Sequence, residues 1–71
     1  MGDGLPRKIR QLEEALRKAG FVCQAAKGSH RKWMHSSGRM LVISGAGGDD
    51  AKRYQEAQVE QALADVEASK P

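Results

Sequence analysis

The chain has 71 residues, enough for one domain with a thin core, and no apolar run approaches the ~20 residues that span a bilayer. Cys23 is its only cysteine, so an intrachain disulfide is excluded, and no Cys/His grouping has zinc-ligand spacing, so no metal is expected. The formal charge of +3 hides a polarity: residues 1–39 carry nine Lys/Arg against three Asp/Glu, and residues 40–71 carry three against six.

A domain this small gains little margin from its core, so a partner is the expected stabiliser. The basic N-terminus lacks the apolar segment of a secretory signal, which points to a cytoplasmic protein. The basic half suits a phosphate backbone, because neutralising phosphates releases counterions. For Arg17 and Lys18 the plainer reading is a solvated helix face, with Glu13 and Glu14 each four residues before a base.

In chain order, Pro6 fits a first helical turn, and Ile9, Leu12, Leu16 and Ala19 recur at helical spacing before Gly20, a natural helix stop. A helix is expected over Pro6–Ala19. Phe21–Ala26, bounded by Gly20 and Gly28, suits a strand, and His30–His35 suits a second. Ser36-Ser37-Gly38 reads as a hairpin link into a third strand, Arg39–Ser44. Gly45-Ala46-Gly47-Gly48 reads as a flexible connection: it lacks the ending of a phosphate-binding loop, and Asp49-Asp50 would repel an anion there. Asp49 or Asp50 is a candidate N-cap for a second helix over Ala51–Glu67, where Val59, Ala62, Leu63 and Val66 form the stripe. Tyr54 is expected at the edge of that stripe, its ring over the core. Met1–Leu5 and Ala68–Pro71 read as loose ends of a single domain spanning 1–71, with a core over about 6–67.

The fold class is α+β, an α-β-β-β-α order with a three-stranded antiparallel sheet and two helices on one face. Alternation places Leu41, Ile43 and Trp33 toward the helices. His30, Lys32, Met34, Met40, Val42 and Ser44 then share the open face. Met34, Met40 and Val42 form an apolar patch beside a basic strip, a candidate partner surface.

Gly28-Ser29-His30 stands between Lys27, Arg31 and Lys32, and such a cluster suits a phosphate. Histidine exchanges protons near neutral pH, as ribose-assisted phosphodiester cleavage requires. Spacing alone favours the plainer reading, in which His30 is a polar surface residue. His35 lies five residues on, an odd separation that turns its ring to the other side, ~16 Å away at ~3.3 Å per residue. It reads as a strand-end residue that fixes the hairpin. Lys32 shares the His30 face and is the better second group, while Cys23 reads as a small core residue.

Leu5-Pro6-Arg7-Lys8-Ile9, Lys18-Ala19-Gly20-Phe21, Lys27-Gly28-Ser29-His30-Arg31-Lys32-Trp33-Met34-His35 and Ile43-Ser44-Gly45 together resemble the HicA toxins of type II toxin–antitoxin systems. Asp49–Gln55 resembles one branch of that family. The resemblance implies a double-stranded-RNA-binding-domain-like fold and a metal-independent endoribonuclease, an mRNA interferase that arrests translation, with His30 catalytic. Lys27, Gly28, Ser29, Arg31 and Lys32 are the expected RNA-binding residues. The implied partners are mRNA and a HicB-type antitoxin, with DNA engaged only through the antitoxin complex and no cofactor. Ser36 and Arg53 depart from the family, which often has Pro at those places. The competing reading is a non-catalytic RNA-binding module of the same fold, and a third makes the domain chiefly an interaction protein. RNA preference, oligomeric state, the antitoxin's identity and whether His30 serves as base or acid are left open.

Overall fold

Apolar residues three and four apart wind the first segment into α1 (Ile9–Lys18), which buries Ile9, Leu12 and Leu16. The structure, a computed structural model, describes residues 7–70, so the start at Pro6 and the Met1–Leu5 end lie outside the described residues. No side chain caps α1 from its N-cap residue, Lys8, whose ammonium cannot accept a hydrogen bond. Instead the carbonyls of Asp49 and Gly47 accept from the N–H groups of Ile9 and Arg10 at 2.9 and 3.0 Å, satisfying donors the helix leaves open. At the far end Gly20 adopts φ 101°, with Gly20 N–H bonded to Arg17 O and Phe21 N–H to Leu16 O, a Schellman closure. Phe21 is thereby buried in the closure, and the first strand begins one residue later than expected.

Three antiparallel strands follow, β1 (Val22–Lys27), β2 (His30–Met34) and β3 (Met40–Ser44), with β2 central. The last helix is α2 (Arg53–Ala68), so the expected order and the α+β class hold. Trp33, Leu41 and Ile43 meet Val59, Ala62 and Val66 in one core, with Ala19 and Leu63 packed at its margin.

Several local expectations change. Neither Asp49 nor Asp50 caps α2; Lys52 stands at the N-cap, and its N–H is taken by Gln55 Oε1 at 2.8 Å, as Lys8 N–H is by Gln11 Oε1 at 2.7 Å in α1. Asp49 Oδ2 instead accepts from Ala46 N–H, and Asp50 pairs with Lys8 at 2.6 Å. The Gly45–Gly48 connection is therefore fastened rather than flexible, with Gly45 N–H also donated to Ser29 O at 3.1 Å. Tyr54 is 59 % exposed and covers no core; the neighbouring Gln55 is buried and donates to Ser44 O at 2.9 Å. Cys23 is exposed on edge strand β1, not a core residue. Ala68 completes α2 rather than fraying, and the N–H groups of Ser69 and Lys70 still bond to its carbonyls.

The largest difference concerns Glu13. It makes no pair with Arg17 along the helix; its Oε2 accepts from Arg31 Nε at 2.5 Å and from Trp33 Nε1 at 3.1 Å, tying α1 to β2. Arg17 lies over the Trp33 ring, 5.4 Å from its centroid, and pairs with Glu14 at 3.6 Å. Substituting Glu13→Ala leaves two shielded donors without an acceptor and should lower unfolding free energy by about 2–4 kcal/mol, read from urea midpoints. Glu14→Ala, in an exposed pair, should change it by less than about 1 kcal/mol.

A second tie joins the sheet to α2. Arg39 Nε donates to Asp65 Oδ2 at 2.8 Å, and Gln61 Nε2 to Oδ1 at 2.9 Å. These bonds, Gln61 first, hold the Asp65 carboxyl below its ordinary value of 3.8. A carboxyl with a depressed folded-state pKa stabilises above its unfolded value and stops doing so as pH falls through the folded one. Asp65→Asn should therefore flatten the acid side of a plot of Tm against pH, below about pH 5, and change its slope little near neutrality.

Candidate functional site

The site begins with the shortest connection in the chain. Gly28 and Ser29 form a two-residue loop between Lys27 and His30, which are paired across β1 and β2. Gly28 has φ 60°, and no residue other than glycine has positive φ among the described residues, a pattern of the type II′ hairpin turn that matches strand twist. Ser29 O accepts from Gly45 N–H at 3.1 Å and from Arg31 Nη1 at 3.4 Å, so the turn is fastened from below.

His30 is thus fixed as the first residue of the central strand. It is exposed, with Lys27 opposite on one side and Ser44 on the other. Ser44 Oγ lies 3.3 Å from His30 Nδ1, which leaves Nε2 for a ligand. Lys32 is two residues on and opposite Val42, and Met34 is opposite Met40. Paired residues share a face, so the open face carries His30, Lys32, Met34, Met40, Val42 and Ser44 as alternation predicts.

Lys27 and Val22 join that face because of an irregularity. The pairing shifts between Cys23 and Ala25, making Gln24 an extra residue in β1. Without it, two residues five apart would face opposite ways. With it, Val22 stands opposite Met34 and Lys27 opposite His30. Val22, Met40 and Val42 are 59, 43 and 44 % exposed and make an apolar patch at the end away from the turn. Sequence reasoning missed Val22, since a bulge leaves no alternation to read.

Arg31 does not join the other bases. It lies on the helix side of β2, where its guanidinium is occupied by Glu13, by Gly45 O at 2.7 Å and by Ser29 O. His35 is equally separate: its Nδ1 accepts from Ser37 N–H at 3.0 Å, its N–H bonds Arg39 O at 2.9 Å, and its ring packs against Phe21 at 5.2 Å. It holds the β2–β3 hairpin, as its odd spacing from His30 suggests.

A cleft of about 330 Å³ adjoins the turn, lined by Ser29, Ser44, Gly45, Asp49, Tyr54 and Gln55 among others. Ser44 links it to the histidine, because its hydroxyl faces His30 while its carbonyl is held by Gln55. The role of Ser44 was legible as a same-face neighbour of His30; that of Tyr54 was hidden by its placement near the apolar stripe. No group of three or more His, Cys, Asp or Glu is arranged to hold a metal among the described residues. No helix among them is long and apolar enough to cross a membrane.

Compared with known protein families, residues 9–65 match the model described as the HicA toxin of bacterial toxin–antitoxin. No curated protein matches the chain.

A Cβ added at Gly28 would meet nothing within 4 Å, so only the backbone conformation resists a side chain there. Gly28→Ala should cost about 1–2 kcal/mol in urea unfolding, and Gly28→Asn, whose side chain tolerates positive φ, clearly less.

Proposed function

The chain belongs to the HicA toxin family of bacterial toxin–antitoxin systems, and from that premise we propose that it is an endoribonuclease, an mRNA interferase in which His30 is the catalytic residue. The observation that carries this reading is the position of His30: exposed, at the entrance to the central strand, with Ser44 Oγ 3.3 Å from Nδ1. Its Nε2 is then available to RNA. As a general base it removes the proton of the ribose 2′-hydroxyl while that oxygen bonds to phosphorus and the bond to the 5′-oxygen breaks. The products are a 2′,3′-cyclic phosphate and a 5′-hydroxyl, the departing oxygen taking a proton from water and His30 returning its proton to solvent.

Lys27 and Lys32 flank His30 on the open face, where their fixed charge offsets the negative charge that builds on the phosphoryl oxygens. Gly28 and Ser29 shape the turn that orients the imidazole. Arg31 serves the same end from the opposite side, by holding the Ser29 and Gly45 carbonyls rather than a phosphate. The reaction so written needs no metal, and it operates in the cytoplasm, where mRNA is the substrate. A HicB-type antitoxin covers the open face, with Met34, Met40 and Val42 and the adjoining Val22 as its apolar contact. Contact with DNA comes only through that complex.

His30→Ala should leave unfolding free energy within about 0.5 kcal/mol, since the residue is exposed, and reduce cleavage of a labelled transcript by roughly 10²–10⁴-fold. The assay is run in chelator. Undiminished cleavage by the variant would overturn the assignment, and binding without product from the unaltered chain would favour a non-catalytic RNA-binding module. His35→Ala should do the reverse, lowering stability by about 1–2 kcal/mol through loss of the hairpin bond and the Phe21 contact while the chemistry persists.

A further inference from the structure

We propose that the cleft beside His30 is a nucleobase subsite in which Tyr54 stacks on a base of the RNA next to the scissile phosphate. The inference rests on the ribonuclease reading for the identity of its ligand. Tyr54 lies in the first turn of α2, 59 % exposed, and no hydrogen bond or ring contact engages its side chain among the described residues. The core does not need it, for Gln55 and Val59 are the buried residues of that stretch. A large ring left uncovered at the rim of a built cleft is an unpartnered stacking surface.

The cleft is rigidly connected to the proposed chemistry. Ser44 carries both ends of the connection, its Oγ toward His30 and its carbonyl bonded to Gln55, the residue after Tyr54. Ser29 and Gly45 line the wall between them and are themselves bonded to each other. Charge favours one part of a nucleotide over another. Asp49 and Asp50 line the cleft with a single cation, Lys52, and Lys8 pairs with Asp50, so the cleft offers a phosphate no net positive charge, whereas Lys27 and Lys32 mark the phosphate's place on the open face. A cavity of about 330 Å³ also admits a flat heterocycle with room for water. The phosphate therefore lies on the sheet, and the neighbouring base turns off it toward α2.

The test uses the full chain and 2′-O-methyl oligonucleotides of about eight nucleotides, which cannot be cleaved through the 2′-oxygen, with binding read by fluorescence anisotropy. Tyr54→Phe should bind within about twofold of the unaltered chain, and Tyr54→Ala about 5- to 100-fold more weakly. An abasic site walked along the oligonucleotide should abolish the Tyr54→Ala penalty at one position only. Equal binding by Tyr54→Ala, or a penalty that survives every abasic position, would overturn the subsite. None of these readings needs turnover, so failure of the nuclease reading, seen as absent cleavage of ordinary RNA, is distinguished from failure of the stacking subsite.

Discussion

One carboxylate oxygen, Oε2 of Glu13, accepts from both Arg31 and Trp33, and the remainder of the domain is arranged around that double acceptance. The two donors are two residues apart on the central strand and so fall on the same side of it. Glu13 thereby fixes how far α1 sits from the sheet and which side of β2 faces inward. Arg31 extends the constraint by donating to the carbonyls of Gly45 and Ser29, which lie at the end of β3 and in the β1–β2 turn. A helix, a strand and two loops are held by one ion pair shielded from water, where an unpaired charge would be costly. His30, next to Arg31, inherits its position from that framework.

The same strand separates two kinds of work. Its inward residues, Arg31 and Trp33, are saturated with partners, whereas its outward residues, His30, Lys32 and Met34, are left accessible to a ligand. Polarity also changes along the outward face: Lys27, His30 and Lys32 lie toward the turn, and Val22, Met34 and Met40 toward the opposite end. A protein seated on the apolar end would reach the histidine with little further extension, and on the proposed function would cover it by burying a face that water does not favour.

How much of this was legible depended on whether the signal was local. Ile9, Leu12, Leu16, Val59, Ala62 and Val66 announce two helices by spacing alone, and Leu41 and Ile43 assign the inner face of the sheet by alternation. His30 could be placed outward, and His35 set aside, by counting residues. Three of the misreadings share a cause: each concerned a side chain whose partner is distant in sequence. Glu13 was matched to Arg17 because they are four apart, yet its partners are 18 and 20 residues away. Asp49 and Asp50 were cast as helix caps by adjacency, while the N–H groups at the start of α1 were waiting for carbonyls from their loop. Arg31 looked like a phosphate ligand by its neighbours, and only the inward direction of its side chain shows it occupied.

The extra residue in β1 makes the two ends of that strand independent of each other. The tight turn dictates which way Lys27 faces, and the Phe21 closure dictates which way Val22 faces; Gln24 absorbs the mismatch between them. Deleting Gln24 would leave Val22, Cys23, Ala25, Ala26 and Lys27 as five successive residues matched one to one with Met34 through His30, so every side chain would keep its present side and the strand would lose only its local bend. Adding a second residue at the same point would instead force Val22 and Cys23 to exchange sides while Lys27 stayed opposite His30. Chain length in β1 is therefore forgiving in one direction and exacting in the other.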